Sequence, residues 1–179
     1  LSLPYAQRVV DVLEAFGWNG ARQASRTDRE VAPNVLQPGV LANGALSMSL
    51  TRATVGSPLA QLAVDATRSE DLVQATFMRF LNRPPSSGEA LPYVKALREG
   101  FDERLVPAEQ VVVPELPPPL PRVTWFNHLN SEATTIALEN EKRARRGPPS
   151  DPRLREPWRE KYEDMVWSLV NAREFVWMP

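Results

Sequence analysis

Cysteine is absent from the 179 residues, and histidine occurs only once. Without cysteine the chain can form no disulfide, no thiolate nucleophile, no cysteine-ligated zinc site, no iron–sulfur cluster and no covalently attached c-type haem. A single imidazole leaves carboxylates and carbonyls as metal ligands, and these are the least sequence-specific kind. We therefore expect no metal site and no cofactor.

Long apolar runs and an excess of charge of one sign are also missing. Every apolar stretch is far shorter than the roughly 18 residues that a membrane-spanning helix needs, so we expect no transmembrane segment. The chain has 21 basic and 22 acidic side chains, which give a net charge of −1. Such a balance creates no overall field that attracts nucleic acid, and we expect no nucleic-acid partner.

Apolar residues recur at helical spacing along most of the chain. Proline or serine signals predict helix starts at Pro4, Pro38, Pro58, Ser69 and near Pro157. No stretch alternates apolar and polar residues for long, and only residues 111–113, three valines, hint at a short strand. The sequence predicts an all-α protein, a compact bundle of about seven short helices with a long proline-rich crossover.

Proline is unusually frequent, with 18 residues in the chain, or about twice the common share of roughly 5%. Six of them lie between Pro107 and Pro121, where the fixed φ angles and missing N–H groups favour extended or polyproline II structure. We expect one helical domain over residues 1–179. Its parts are a main helical part at 1–105, the proline crossover at 106–124, and C-terminal helices at 125–179 that pack on the first part.

No residue stands out as catalytic. The chain lacks the glycine-rich phosphate-binding motifs and the nucleophile elbow GxSxG. His128 has no sequence neighbour that would orient it as a base, so we interpret it as structural, between Trp125 and the next helix. The scattered carboxylates fit solvated helix faces better than a glycosidase pair.

The candidate binding residues are prolines and tryptophans. The run Pro117, Pro118 and Pro119 suits a protein partner, because a pre-ordered polyproline segment loses little entropy on binding. Among the tryptophans, Trp18 and Trp177 have the positions most favourable to exposure, as anchors for protein or glycan.

Three long stretches resemble one known family. They are LPYAQRVVDVLEAFG, then REVAPNVLQPGVLANG followed by LTRAT, and finally VTWFNHLNSEAT through WREKYEDMVWSLVNAREFVW. Between them, FMRFLNRPPSSGEA is similar to the family's helix, Arg-Pro turn and helix. They resemble the C-terminal domain of unknown function of large planctomycete-type proteins, which is often fused to a planctomycete-type cytochrome c domain.

The resemblance implies a mostly helical C-terminal module of a longer, extracytoplasmic protein, in agreement with a first residue that is not methionine. It supplies no catalytic residues. Within the matching motif, Asn34, Gln37 and Asn43 have a structural interpretation as partners of loop amides, and a functional one as the lining of a polar pocket.

Together these patterns favour a non-catalytic helical interaction or scaffold module that docks on a protein partner, as a subunit or C-terminal fragment of a larger extracytoplasmic assembly. One alternative is a glycan-binding or glycan-degrading accessory domain, suggested by the tryptophans and carboxylates. A second alternative is a docking partner of a cytochrome.

Overall fold

The regular structure of this protein is helical. A computed structural model describes residues 4–18, 34–115, 118 and 121–176. The helices are α1 (Pro4–Ala15), α2 (Leu36–Asn43), α3 (Ala45–Leu50), α4 (Pro58–Asp65), α5 (Ser69–Leu81), α6 (Ser87–Arg98), α7 (Ala133–Arg146), α8 (Glu156–Val170) and α9 (Arg173–Val176), with a 3-10 turn at Ala108–Gln110. Two isolated bridges are the only β-type pairings among these residues. The prediction of an all-α protein is confirmed.

Backbone contacts divide the chain into two compact units, and each unit is built from two chain segments. Unit 1 comprises Leu1–Ser49 and Glu115–Gly147, and unit 2 comprises Leu50–Pro114 and Pro148–Pro179. The boundaries therefore differ from the predicted division at 105 and 125, and the expectation of one domain over 1–179 stays a prediction. No helix in the described ranges is both long and apolar enough to cross a bilayer.

Unit 1 is organised around α1, which contacts α2 and α7. Its described apolar interior is small and includes Ala15, Leu41 and Ala133. Asn34 holds the start of α2, because its Oδ1 accepts from the backbone N–H groups of Leu36 and Gln37 at 2.8 and 3.2 Å. Such a local side-chain bond satisfies donors that the first helical turn leaves free.

Unit 2 contains the large apolar core. The packing helices are α4, α5, α6, α8 and α9. The apolar residues at helical spacing in α5 and α8 face inward, apart from Phe80, which is partly buried. The buried ones are Leu72, Val73, Phe77, Leu81, Trp158, Tyr162, Met165, Val166, Leu169 and Val170. The predicted start of α4 is also confirmed, since Ser57 Oγ accepts from the N–H of Ala60 at 3.1 Å ahead of Pro58.

Residues 149–155 tie the two segments of unit 2 together. Asp151 N–H donates to Ala53 O at 2.9 Å, and Arg155 N–H donates to Arg104 O at 2.8 Å. The first bond joins chain positions 98 residues apart and the second joins positions 51 residues apart, pairings that the helical pattern alone does not encode. They also fix the backbone of Arg104 beside the end of α4.

The helix predicted to begin at Pro38 begins two residues earlier, at Leu36. Gly44 ends α2 in an extended conformation with its N–H bonded to Val40 O at 2.8 Å, and α3 begins at the next residue. A Cβ at position 44 would lie 2.1 Å from Val40 O, so only glycine fits here. Beyond this break, Met48 and Leu50 of α3 are exposed.

The predicted helix start at Ser69 is confirmed, because Ser69 is the first residue of α5; Arg68 precedes it without a side-chain capping bond. In α6 a capping box formed by Ser86 and Glu89 begins the helix, which places Pro92 beyond the first turn and leaves Leu91 exposed. The predicted strand at residues 111–113 is wrong, since these residues form neither strand nor helix.

Candidate functional site

The described part of the proline crossover lies against α7. Arg143 Nη1 donates to Pro118 O at 2.5 Å, and Asn140 Nδ2 donates to Pro121 O at 2.8 Å. Two carbonyls of the crossover, those of Pro118 and Pro121, are thus bound by two side chains of α7. Pro118 and Pro121 are both exposed, so each is bonded to α7 through its carbonyl and remains open to solvent. Pro117 and Pro119 lie outside the described residues.

The residues that follow form a turn with exposed apolar side chains, the aromatic turn (residues 125–130). Trp125 is 73% exposed, Phe126 96% and Leu129 86%. Asn127 organises the turn, because its Oδ1 accepts from the backbone N–H of Thr124 and its Nδ2 donates to the carbonyl of Arg122 at 2.9 Å. The Asn127 side chain therefore links the backbone of residues 122 and 124 to the turn, and three large apolar side chains of the turn are exposed to water.

His128 has the structural role expected for it. Its Nδ1 lies 2.5 Å from Trp125 O, and its ring stacks on the Trp125 indole with centroids 5.0 Å apart. A carbonyl oxygen can only accept, so Nδ1 carries the proton in this bond. The imidazole thereby fixes the backbone and the indole of Trp125.

The sequence predicts exposed tryptophans at positions 18 and 177, and it does not predict the exposed side chains of the aromatic turn. Trp18 is 36% exposed just beyond α1, and its backbone N–H donates to Leu13 O at 2.8 Å. Trp177 lies outside the described residues. Trp125 is the most exposed of the four described tryptophans, which are Trp18, Trp125, Trp158 and Trp167. The signal for its exposure is its position beside Phe126 in a short polar-flanked turn rather than on an apolar helical stripe.

The three polar residues of the Asn34, Gln37 and Asn43 pocket occupy different environments. Asn34 is bonded to the start of α2 and, through Nδ2, to Ala15 O at 3.2 Å. Gln37 is buried, and its Oε1 meets no donor among the described residues. Asn43 is exposed at the end of α2. The structural interpretation explains Asn34, and the structure does not bring all three side chains into one buried lining.

Besides Arg159, which pairs with Glu163 within α8, unit 2 buries the cationic side chain of Arg104. Its guanidinium donates to the carbonyls of Ala63 and Phe101 at 2.9 and 2.8 Å, and Nη2 reaches Val64 O at 3.3 Å and Ala66 O at 2.5 Å. Burial lowers the pKa of Arg104. Because Ala63, Val64 and Ala66 lie at the end of α4, the charge caps a helix C-terminus. Arg104 therefore has a structural role in unit 2.

Two further buried ionisable groups are also bound internally. Burial alone would raise the pKa of Asp151, but hydrogen bonds from the side chain and backbone of Arg153 outweigh it and lower the pKa. Burial raises the pKa of Tyr162 to about 12, and its hydroxyl lies 3.5 Å from Thr76 Oγ1. Both side chains are buried and bonded to neighbouring side chains, so we interpret them as stabilising the core.

A surface groove of about 350 Å³ in unit 2 combines carboxylates with an aromatic ring. Glu99 and Glu103 line it, but Glu99 is bonded to Lys161 at 2.8 Å. Trp158 is buried, and its Nε1 donates to Leu97 O at 2.8 Å. A stacking platform for sugars needs an exposed ring face, which Trp158 does not provide.

No group of three or more His, Asp or Glu side chains positioned to hold a metal occurs in the part of the chain that the structure describes. Comparison with known proteins gives no match to a family model, to a curated protein or to a solved structure. The planctomycete-type resemblance thus stays a proposal.

Proposed function

We propose that this protein is a non-catalytic helical interaction module that docks on a protein partner within a larger extracytoplasmic assembly of the planctomycete type. The observation that carries the proposal is the bonding of the crossover carbonyls of Pro118 and Pro121 to Arg143 and Asn140. A segment that is ordered before binding loses little conformational entropy when a partner covers it.

Proline chemistry suits this use of the crossover. A residue without an N–H cannot add to a partner's sheet, so recognition of such segments relies on ring faces and on carbonyl oxygens. Two of the described carbonyls are already bound to α7, which leaves the proline rings as the accessible surface. The partner therefore needs an aromatic-lined groove of the kind that binds extended proline segments.

The internal bonding of three buried ionisable side chains supports a non-catalytic role for the protein. Arg104, Asp151 and Tyr162 each have an internal partner that accounts for their placement. Catalytic acids and bases instead combine a shifted pKa with access to a cleft. The glycan-related alternative and the cytochrome-docking alternative stay predictions.

The test is site-specific photo-cross-linking in the native host. A photoreactive amino acid replaces Glu115 or Arg122, which lie within the crossover on either side of its cluster of prolines at 117–121, and in a matched control it replaces the exposed Leu91 on α6. We expect both crossover positions to capture the same protein and position 91 not to capture it. Equal capture from all three positions, or from none, would refute the docking surface.

A further inference from the structure

The pair Asn43–Gly44 at the end of α2 combines two features of a spontaneous modification site. Asn43 is the last residue of α2, and its side chain is exposed to water. Gly44 follows it, and a residue without a side chain offers little steric hindrance to attack by its own backbone nitrogen. The proposed docking surface on the crossover uses neither residue.

The reaction open to this pair is deamidation of Asn43. The Gly44 nitrogen forms a bond to the side-chain carbonyl carbon Cγ of Asn43, the bond between Cγ and Nδ2 breaks, and ammonia leaves with the proton that the Gly44 nitrogen gives up. One water molecule then opens the cyclic imide at either of its carbonyl carbons. The products are aspartate, and isoaspartate, in which the main chain runs through Cγ. Water is the co-reactant, and nothing is oxidised or reduced.

The folded chain holds the attacking nitrogen in a hydrogen bond. Gly44 N–H donates to Val40 O at 2.8 Å, and Gly44 approaches this carbonyl so closely that a Cβ would collide with it. Because Asn43 is helical, closure of the imide ring requires rotation of its backbone away from the α2 conformation. That rotation breaks the bond to Val40 O, so the reaction has to wait until the end of α2 opens.

A second hydrogen bond closes the same helix end. Ser47 Oγ in α3 donates to Val40 O at 3.1 Å, so this carbonyl accepts from both Gly44 and Ser47. A carbonyl oxygen has two lone pairs and can serve both donors. Ser47 is buried, and its hydroxyl couples α3 to the turn that keeps the Gly44 N–H occupied. Opening of the end of α2 therefore has to release both bonds.

We infer that Asn43–Gly44 is a deamidation site whose rate is set by opening of the junction between α2 and α3. Either product weakens this junction. A carboxylate at position 43 places negative charge at the C-terminus of α2, where it is unfavourable. Isoaspartate adds one atom to the main chain ahead of Gly44 and displaces the nitrogen that is bonded to Val40 O. A modified chain therefore closes the junction less well than an unmodified one.

The test measures deamidation of the purified full chain by peptide mapping with mass spectrometry, in buffer and in concentrated urea at the same pH and temperature. The urea sample gives the rate for the same residues without α2, so the ratio of the two rates reports opening of the helix end. We expect product at position 43 in both samples, formed about 10- to 100-fold more slowly in the folded chain. Equal rates would overturn the inference, and so would a folded chain without this product after about ten half-lives of the unfolded chain.

Ser47→Ala tests control by the junction, and Ser49→Ala is the matched control. Ser49 Oγ bonds Leu46 O within α3, so its removal leaves the bonds to Val40 O in place. Loss of one hydrogen bond to Val40 O is expected to raise the folded-state rate about fivefold in Ser47→Ala, and Ser49→Ala should change it less than about twofold. Equal rates in the two variants would contradict control by the junction.

Both rates are taken below the thermal midpoint of each variant, so that global unfolding does not contribute to them. Cross-linking from Glu115 and Arg122 is measured separately, so failure of the deamidation test leaves the crossover proposal intact.

Discussion

Replacement of Arg104 by Met tests whether unit 2 depends on a buried cation. The guanidinium binds carbonyls of Ala63, Val64, Ala66 and Phe101 and lies 3.9 Å from the Phe101 ring centroid. Methionine retains the apolar stem but leaves these carbonyls without their donor. This change is expected to lower the free energy of unfolding.

The magnitude follows from the bonds that are lost. A hydrogen bond from a charged donor contributes about 1.5–3 kcal/mol, and desolvation of the guanidinium offsets part of the combined gain. We expect Arg104→Met to lower the free energy of unfolding by about 3–4 kcal/mol. Arg104→Lys keeps the charge but not the planar fork, and should lose about 2 kcal/mol.

The assay is urea unfolding followed by far-ultraviolet circular dichroism. Arg98→Met is the matched control, because Arg98 is exposed on α6 and is paired with Glu70 at the surface. That variant should lose about 0.5 kcal/mol. If Arg104→Met and Arg98→Met are equally stable, the helix-capping role assigned to the buried cation is refuted.

Three other perturbations probe the same fold. Gly44→Ala places a methyl group against Val40 O and should lower the thermal midpoint. Gly39→Ala is the matched control, since position 39 has open space around a Cβ and a helical backbone, and it should leave the midpoint unchanged or raise it by a few degrees. Equal effects of the two variants would contradict the close approach of Gly44 to Val40. The lowered pKa of Asp151 means that its contribution is present above pH 4 and is lost as the pH falls through the folded pKa, so acid unfolding of Asp151→Asn should be less pH-dependent between pH 4 and 2 than that of wild type. The ultraviolet ionisation signal that is present in wild type and absent in Tyr162→Phe should not appear until about pH 12 in the folded chain, and a difference between the two chains near pH 10 before unfolding would disprove the burial of Tyr162.

The sequence predicts the helices of unit 2 well where a full apolar stripe faces one core. In α8, the spacing of Trp158, Tyr162 and Met165 fixes the buried face, and the structure buries all three. Pro58 and Ser57 likewise mark the start of α4 correctly. Such signals are local, so they can be read without knowledge of the tertiary structure.

The errors occur where a tertiary or capping contact decides the outcome. Gly44 ends α2 because of its close approach to Val40, and the apolar pattern continues across this break. The capping box of Ser86 and Glu89 fixes the start of α6, for which no proline or serine signal was identified, and as a result Pro92 lies in the interior of the helix. Arg104 has no sequence neighbour that marks it as buried, because its partners come from the end of α4.

The candidate site was predicted only in part. The crossover was identified by its prolines, but its bonds to Asn140 and Arg143 depend on the packing of α7, which composition does not encode. The aromatic turn was missed because an exposed Trp125 and Phe126 look like core residues when only hydropathy is considered.

The most direct test of the account is the affinity of the cross-linked partner for the wild-type chain and for Asn140→Ala/Arg143→Ala, measured by titration calorimetry. Loss of the two bonds frees the crossover, so the entropy cost of binding rises and the affinity should fall about tenfold. The affinity of Lys142→Ala, a matched change at the exposed Lys142–Glu139 pair of α7, should stay near the wild-type value. Equal affinities for wild type and the double variant would contradict the claim that α7 holds the crossover ready for its partner.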